Sequence, residues 1–548
     1  MSPSRTVKQE DIKREKDGLD VRADIDRFAR EGFESIPADD FERLKWYGIY
    51  TQRPKEDGYF MVRIKVPGGR LTGHRLREIG RLTNDYGRGI GDITTRQDIQ
   101  IHWLRAENLP DLLHRIYDRM GMNQEFSCGD APRNVIGCPL AGIDREAIVN
   151  TAGFALAISE MYRAGGKAFS NLPRKFKTAV GGCRLHCHEP QINDVGLFGV
   201  TRKRHNGEEA GLGLVIGGGL RDTPHFAQSL RVFLEPDIEL LKTICRGVVT
   251  VFRDCEALRH GRLRARLKFH VARVGWSAFR DQLEEQIGFK LEHDDEIVEP
   301  EGAEHGDHVG VGEQTDGRRY VGVPIARGRL SGDAMVSLAD LAEEFAGAEH
   351  AELVATIKQN LIFLNIPPQR VEELCGRLDE MGLPTAAHPL RSQLISCTGI
   401  EFCKLAVVET KQRALEILRH LEQTVALDED VMISVTGCPN SCAQYQIADI
   451  GLQGVPVRLN GERSDGFHVF VGGRMGREPQ FGRVVIDGDG RKIKVPAVKI
   501  HDVIETLLKT YRSEKKDGDR FWTWAERLDI SRLAELIAIG TDSSGGAV

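Results

Sequence analysis

Four cysteines in the second half of the chain have the spacing of ligands for a metal centre. Cys397 and Cys403 enclose five residues, Cys438 and Cys442 enclose three, and 34 residues separate the two pairs. Thiolates from two short loops can hold an iron–sulfur cluster or a zinc ion. Zinc sites favour two to four residues between paired cysteines, so the five-residue spacing favours an iron–sulfur cluster. A single buried cysteine often behaves as a small hydrophobic residue, but two spaced pairs indicate ligands.

The sequence around Cys438 also favours a site for charged sulfur. Residues 437–440 read Gly-Cys-Pro-Asn, which predicts a turn. The backbone N–H groups of such a turn can point toward the sulfurs. Donors of this kind stabilise the excess negative charge of a thiolate cluster.

A basic segment, Asn-Leu-Pro-Arg-Lys-Phe-Lys at residues 171–177, indicates a second kind of chemistry. Lys175 and Lys177 are separated by one residue. On an extended segment both ammonium groups therefore lie on one face, and Phe176 lies on the other. Taken alone, a basic run is more often a solvated surface. Within the longer sequence that continues Thr-Ala-Val-Gly-Gly, we favour an anion-binding role.

The elements that must position these residues occur twice in the chain. Residues 62–86 and 321–345 share one pattern, which predicts a strand, a Gly-Arg-Leu-(Thr/Ser)-Gly turn and an amphipathic helix. A strand of alternating apolar residues and a further helix follow in both copies, and these helices end at Met122 and Met381. Each copy therefore predicts a βαβα half-unit of a ferredoxin-like sheet.

A second pair of repeats, residues 177–199 and 432–454, aligns without a gap. Two pairs in the same order predict an α+β fold built from a duplicated module, with one site at the pseudo-twofold interface. An acidic, glycine-rich stretch at 299–317 predicts a linker or exposed loop between the copies. The predicted organisation is an N-terminal extension at 1–57, a ferredoxin-like half-unit at 58–125, a larger domain at 126–290, a second half-unit at 316–386 and a second larger domain at 387–535.

Composition excludes several classes of function. The 548 residues include 75 basic and 81 acidic side chains, and a net charge of -6 argues against nucleic-acid binding. The sequence contains no run of about 18 uncharged apolar residues, and its first 30 residues lack the apolar core of a signal peptide. The 11 cysteines are an odd number, which argues against a secreted disulfide framework. We therefore expect a soluble cytoplasmic protein with no membrane contact.

The four-cysteine pattern, with Gly-Cys-Pro-Asn-Ser-Cys at 437–442, resembles the assimilatory, ferredoxin-dependent nitrite/sulfite reductases. Ala-Pro-Arg-Asn-Val at 131–135 and the basic segment at 171–177 occur in the family's order, and the resemblance covers nearly the whole chain. It implies two ferredoxin-like half-units and two α/β domains of the sirohaem and iron–sulfur type. It also implies a 4Fe–4S cluster on Cys397, Cys403, Cys438 and Cys442, with Cys442 bridging to the iron of a sirohaem.

The resemblance further implies a pocket of fixed cations for a small anionic substrate. It assigns substrate binding to Arg63, Arg133, Lys175 and Lys177. It assigns contacts with sirohaem carboxylates to Arg96 and Gln97, and from the second copy to Lys358. The repeat counterparts of Arg63 and Lys177 are Gly322 and Met432, so one module provides cations and the other provides thiolates. Ordinary surface salt bridges are the alternative for Arg96, Gln97 and Lys358.

The first copy retains part of the cysteine pattern. Cys183 and Cys187 occupy the places of Cys438 and Cys442, and the alignment sets Cys138 against Cys403 and Pro132 against Cys397. Because only three of the four cluster cysteines have counterparts in the first copy, we expect these three to pack as core residues and not to hold a second cluster. Cys128 lies close enough in sequence to keep that question open.

Lys177 favours sulfite as the substrate, since relatives specialised for nitrite typically carry Asn at this place. Reduction of nitrite to ammonia at the same site is the alternative. Residues 46–53 and the Cys128-Gly-Asp segment resemble actinobacterial-type sulfite reductases, in which a tyrosine and a cysteine are joined covalently. Tyr50 and Cys128 are the matching residues. A plain aromatic side chain and a buried thiol are the alternative.

The sequence contains no convincing dinucleotide-binding motif, because Gly-Arg-Gly-Ile-Gly-Asp at 87–92 has the wrong spacing and leads into a strand. Electrons must then come from another protein, and the resemblance implies a ferredoxin that docks on cations near the cluster. Lys404, Lys411 and Arg413 are the candidates, with a solvated helix as the alternative. The family also implies a monomer. Two other hypotheses are a zinc-stabilised binding protein using the same four cysteines, and a redox enzyme acting on another tetrapyrrole or a sugar.

Overall fold

We describe the protein from a computed structural model, in which residues 5–205, 207–298, 307–459 and 461–542 are described. Three helices precede the first sheet: α1 (Arg5–Glu15), α2 (Ile25–Glu31) and α3 (Asp40–Arg43). Although their sequence is polar overall, Val21, Ile25 and Phe28 are fully buried against the main core. The N-terminal extension is therefore part of the folded body.

Each half-unit contains the strands and helices that its sequence pattern predicts. The first consists of β1 (Ile49–Thr51), β2 (Phe60–Ile64), β3 (Arg70–Thr72), α4 (Gly73–Tyr86), β4 (Ile90–Ile93), β5 (Ile99–Leu104) and α5 (Leu109–His114). Thr72 caps α4 by accepting a hydrogen bond from the Arg75 N–H at 3.2 Å.

The first larger domain follows directly. Its elements are β6 (Ile136–Gly137), α6 (Phe154–Ala164), α7 (Lys167–Ser170), β7 (Thr178–Gly181), β8 (Val195–Arg204), β9 (Gly207–Ile216), β10 (Gln228–Ser229), α8 (Ile238–Asp254), α9 (Leu267–Val274) and α10 (Trp276–Ile287). The strand order is β10-β9-β8-β7-β6, with β6, β7 and β8 parallel and the long β8–β9 hairpin antiparallel.

The second half of the chain repeats this arrangement. Its half-unit consists of β11 (Gly310–Glu313), β12 (Arg319–Val323), β13 (Arg329–Ser331), α11 (Gly332–Ala346), β14 (Glu352–Ala355), β15 (Leu361–Ile366) and α12 (Val371–Glu380). Its larger domain consists of α13 (Leu390–Gln393), β16 (Leu394–Ser396), α14 (Lys411–Thr424), β17 (Ile433–Thr436), β18 (Ile450–Leu459), β19 (Glu462–Val471), β20 (Arg483–Val484), β21 (Val495–Pro496), α15 (Ile500–Glu514), α16 (Phe521–Arg527) and α17 (Ile530–Asp542). The prediction of a duplicated α+β fold is confirmed.

The half-units exchange a strand, which the sequence pattern did not predict. The Gly-Arg-Leu segment predicted as a turn forms β3 in the first copy and β13 in the second, and each adds to the sheet of the other half-unit. Arg329 on β13 pairs with Asp92 on β4 through two contacts of 2.8 and 3.1 Å. On the opposite side, Arg70 on β3 reaches Glu352 on β14 at 3.1 Å. The exchange joins the two halves into one body around the pseudo-twofold axis.

Part of the predicted linker is ordered structure. Residues 299–306 of that stretch lie outside the described residues, but Gly310–Glu313 forms β11 at the edge of the second half-unit's sheet. Among the residues that the structure describes, we find no helix that combines the length and the apolar character needed to cross a membrane.

Strand register corrects the alignment of the cysteines in the first copy. The Cys138 N–H donates to the Val180 carbonyl at 3.3 Å, and the Cys397 N–H donates to Val435 at 3.1 Å. Val180 and Val435 are equivalent in the gapless repeat, so Cys138 is the counterpart of Cys397 and not of Cys403. A gap between short motifs cannot be placed from sequence, whereas pairing of adjacent parallel strands fixes it.

Candidate active site

A cavity that is open to solvent lies at the junction of the two halves. Its wall combines strands of the first half-unit, loops of the first larger domain and the cysteine loops of the second. Most of the predicted site residues line it: Tyr50, Arg63, Arg96, Cys128, Arg133, Lys175, Lys177, Cys397, Cys403, Cys438 and Cys442. The position at the pseudo-twofold interface agrees with the duplicated sequence.

The four cysteines reach the cavity from two neighbouring strands. Cys397 directly follows β16, and Cys438 and Cys442 follow β17, which is parallel to β16. Because the carboxyl ends of parallel strands meet at one edge of a sheet, both loops deliver their thiols to the same place. Cys442 is exposed, Cys397 and Cys403 are half-buried and Cys438 is buried, so Cys442 is the most open of the four cysteines.

Backbone N–H groups point at these sulfurs. The Gly437 N–H donates to the Cys397 sulfur at 3.2 Å, and the Cys438 sulfur accepts from the Asn440 backbone. Burial raises the pKa of Cys397 to about 12 and that of Cys438 to about 11, and the nearby Cys442 thiol adds to both shifts. Thiolate ligands at this site therefore need a cation to replace their protons, and the N–H donors then stabilise the negative charge.

Strand alternation places Arg63 in the cavity. In β2 the side chains of Phe60, Val62 and Ile64 are fully buried in the core, whereas Met61 and Arg63 lie on the cavity wall. The Arg63 guanidinium donates to the Tyr50 hydroxyl at 3.3 Å.

The basic segment is held beside the segment that carries Arg133. The Arg133 N–H donates to the Phe176 carbonyl at 2.8 Å, and the Phe176 N–H donates to Ala131 at 3.2 Å. Phe176 is fully buried and stacks on Phe252 with ring centroids 5.7 Å apart. Lys175 and Lys177 line the cavity on the opposite face, which is the alternation expected for an extended segment.

The cations of this wall are only partly compensated by neighbouring acceptors. Burial lowers the pKa of Lys175 to about 7, with Arg266 and Arg133 adding repulsion, and lowers the pKa of Lys177 well below its usual value, with Arg96 as the next cause. The Nε atoms of Arg63, Arg96 and Arg133 are buried without a hydrogen-bond partner among the described residues. Such a wall favours anions, because each bound negative charge offsets part of the free-energy cost of burying a cation. The donor set therefore fits both an anionic substrate and a cofactor that carries carboxylates.

Two family models match this chain, one over the larger domains that carry the cysteine loops and one over the half-units. Residues 128–291 and 390–542 match the family model described as the nitrite and sulphite reductase 4Fe-4S domain. Residues 52–118 and 312–381 match the nitrite/sulfite reductase ferredoxin-like half domain. The chain belongs to the nitrite and sulphite reductase family.

Relatives of both substrate classes are similar over almost the full chain. Sulfite reductase (ferredoxin) 2 of Mycolicibacterium paratuberculosis is 36% identical over 547 residues, covering 96% of this chain and 95% of the relative. The assimilatory ferredoxin-dependent nitrite reductase of Haloferax mediterranei is 35% identical, covering 96% and 93%. The solved structure of the Mycobacterium tuberculosis NirA protein has a TM-score of 0.88 at 35% identity, covering 97% of this chain and 98% of that chain. Overall similarity therefore does not separate sulfite from nitrite reduction.

Two residues predicted from the family resemblance to contact the sirohaem lie elsewhere. Gln97 is fully buried, and its amide bonds the carbonyls of Gly68, Gly137 and Ala355, so it joins the two half-units. Lys358 is 3% exposed and forms an ion pair with Glu189 at 2.8 Å. Both side chains have their polar atoms engaged within the protein, so we withdraw them as cofactor contacts. Arg96 does line the cavity, held by Asn193 at 3.0 Å.

Lys411, one of the cations predicted to dock ferredoxin, is buried and does not lie on the surface. Lys411 is 1% exposed on α14, and its ammonium lies 3.8 Å from the buried Asp92 carboxylate. It therefore belongs to the network that holds the exchanged strand β13. Arg413 pairs with Glu416 at 2.7 Å on the same helix.

Reasoning from the sequence missed some side chains on the cavity wall. Asp98 follows Gln97 directly, lies beside Arg63 and Arg96, and has its pKa raised to about 6 by burial. Arg174, next to Lys175, lies 3.4 Å from the buried Asp130 carboxylate. Both residues are next to a predicted site residue in the sequence. Charged neighbours of the predicted residues could therefore have been included as candidates for the cavity wall.

Proposed function

We propose that the protein reduces sulfite to sulfide by six electrons, using a sirohaem and a 4Fe–4S cluster. The observation that carries the proposal is that the exposed Cys442 sulfur and four cations, Arg63, Arg133, Lys175 and Lys177, face one cavity. Cys397, Cys403, Cys438 and Cys442 would hold the cluster, and Arg96 would contact carboxylates of the sirohaem. When bound, these two groups would supply the electrons for the reaction.

The chain's own residues would bind the substrate and supply protons. Four cationic side chains can balance the charge of a dianion in a buried site. Lys175, with its pKa lowered to about 7, can give up a proton near neutral pH. Release of protons near neutral pH suits sulfite reduction, because the three substrate oxygens need protons to leave as water.

The proposed donor is a ferredoxin, as the names of the relatives state for those proteins. Lys404, beside Cys403, is the exposed cation that we retain as a docking residue. We propose a monomer, as the family resemblance implies. We also propose a cytoplasmic location, since all eleven cysteines are unpaired and the site needs reduced thiols.

The experiment that tests the substrate compares steady-state reduction of sulfite and nitrite with reduced ferredoxin, measuring sulfide and ammonia. We expect a higher kcat/KM for sulfite. The Lys177→Asn variant is expected to lower that preference by roughly tenfold, because about 1.4 kcal/mol of differential binding corresponds to that factor. Lys203→Asn, on the exposed β8–β9 hairpin, is the matched control. A kcat/KM for nitrite far above that for sulfite would establish nitrite reduction, the alternative function, instead.

We also propose that Tyr50 and Cys128 are joined by a thioether bond. Cys128 and Tyr50 are neighbours on the cavity wall, and each of the two groups shifts the pKa of the other. Bond formation between Sγ and a ring carbon beside the hydroxyl removes two hydrogen atoms, with dioxygen accepting them as hydrogen peroxide.

The intact mass of the purified protein is therefore expected to be two hydrogen atoms below the value calculated from its sequence. Cys128→Ser is expected to match its calculated mass. A wild-type mass equal to the calculated value would show that the two side chains are neighbours without a covalent bond.

A further inference from the structure

The three cysteines that remain of the first-copy motif form a compact cluster. The sulfurs of Cys138, Cys183 and Cys187 all lie within 4.8 Å of one another, and those of Cys183 and Cys187 are 3.4 Å apart. The residues are 3%, 1% and 6% exposed, respectively. Cys138 follows β6, and Cys183 and Cys187 follow the parallel strand β7, so the same strand edge that delivers thiols in the second copy delivers them here.

The spacing of these sulfurs fits a single metal ion. Ligands 2.3 Å from a tetrahedral zinc ion are about 3.8 Å apart, which lies within the range found here. At the second-copy site the sulfurs are more widely spread: among the described residues, no three of Cys397, Cys403, Cys438 and Cys442 come within 4.8 Å of one another. The two copies therefore differ in the size of the group that their thiols can enclose.

His188, directly after Cys187, is the candidate for a fourth ligand, and because its ring nitrogens do not lie within 4.8 Å of all three sulfurs, the ring must move toward them when an ion binds. The His188 Nε2 lies 2.9 Å from the Leu197 carbonyl, so Nε2 carries the proton and Nδ1 carries the lone pair. Nδ1 is buried, and within the described part of the chain it has no hydrogen-bond partner. The His188 ring interacts with the Cys183 thiol. A carbonyl that fixes the tautomer of a ligand histidine is the usual arrangement around protein-bound zinc.

We propose that Cys138, Cys183, Cys187 and His188 bind one zinc ion. Three thiolates and a neutral imidazole form a closed structural site without an open position for chemistry. Binding releases three thiol protons and transfers no electrons. Val354, Ile362 and Leu364 of β14 and β15 pack against the three cysteines. The ion would therefore tie the loop after β6 to the loop after β7, at the place where the sheet of the second half-unit packs on them.

The site is tested on the full-length protein, purified anaerobically from cells grown with added zinc. We expect about one zinc per chain in addition to iron, and zinc-edge X-ray absorption showing three sulfur and one nitrogen neighbours. Cys183→Ser is expected to lower the zinc content at least tenfold while the iron content is retained. Cys245→Ser, a buried cysteine in the main core, is the matched control and is expected to keep its zinc.

Three results would overturn the proposal. These are less than a tenth of a zinc per chain in the unchanged protein, about four additional irons per chain, or a Cys183–Cys187 disulfide in anaerobically prepared protein. The Asp144→Asn variant tests the ligand set, because Asp144 lies at the place of Cys403 and its Oδ2 is buried without a described partner. Loss of zinc from Asp144→Asn but not from His188→Ala would overturn the assignment of His188. Should Cys183→Ser not fold, zinc content and X-ray absorption of the unchanged protein still decide.

Discussion

Replacing Cys442 by serine is expected to abolish sulfite reduction and to remove most of the iron. Cys442 is the exposed one of the four cysteines that would hold the cluster, and it lines the cavity in which the sirohaem would bind. A serine hydroxyl stays protonated near neutral pH and is a poor ligand for iron in a sulfur cluster. We expect kcat to fall by about 10³-fold or more, which corresponds to roughly 4 kcal/mol.

Iron content and the visible spectrum check this prediction independently of activity. The unchanged protein should contain about five irons per chain, four from the cluster and one from the sirohaem. Cys375→Ser, at a half-buried cysteine on α12, is the matched control and should retain both iron and turnover. A Cys442→Ser protein with full iron content and normal turnover would show that Cys442 is not a ligand.

Replacing Lys175 by methionine is expected to lower kcat/KM for sulfite by about 30- to 1000-fold. Truncating one partner of a buried charge pair costs roughly 2 to 4 kcal/mol, and each 1.4 kcal/mol corresponds to a factor of ten. Methionine keeps the length and unbranched shape of the side chain, so the change removes mainly the charge. The Lys203→Met variant on the exposed hairpin should leave kcat/KM unchanged.

The charge-preserving variant Lys175→Arg separates anion binding from proton supply. Because arginine does not release its proton near neutral pH, this variant should keep KM close to normal while kcat falls. In the unchanged protein, burial lowers the Lys175 pKa to about 7, so the cation is lost as pH rises above that value and KM for sulfite should increase. Equal kcat/KM for Lys175→Met and the unchanged protein would remove Lys175 from the proposed pocket.

Local sequence predicted the features that depend on spacing along a single segment. The two cysteine pairs predicted a sulfur centre because short loops bring such residues together. The alternation at 175–177 predicted that Lys175 and Lys177 share a face, and Phe176 is indeed buried opposite them. The two repeats predicted the duplicated fold, because each preserves the periodicity of its strands and helices.

Contacts between distant segments decided the rest. The Gly-Arg-Leu segments read locally as turns, but β3 and β13 pair with strands of the opposite half-unit. Gln97 and Lys358 have the residue types of cofactor contacts, yet carbonyls and a carboxylate from other domains occupy their polar atoms. Sequence by itself therefore determined which side chains share a face and which can act as ligands. The tertiary structure alone decided what each face meets, because strand pairing and burial join residues that are far apart in the chain.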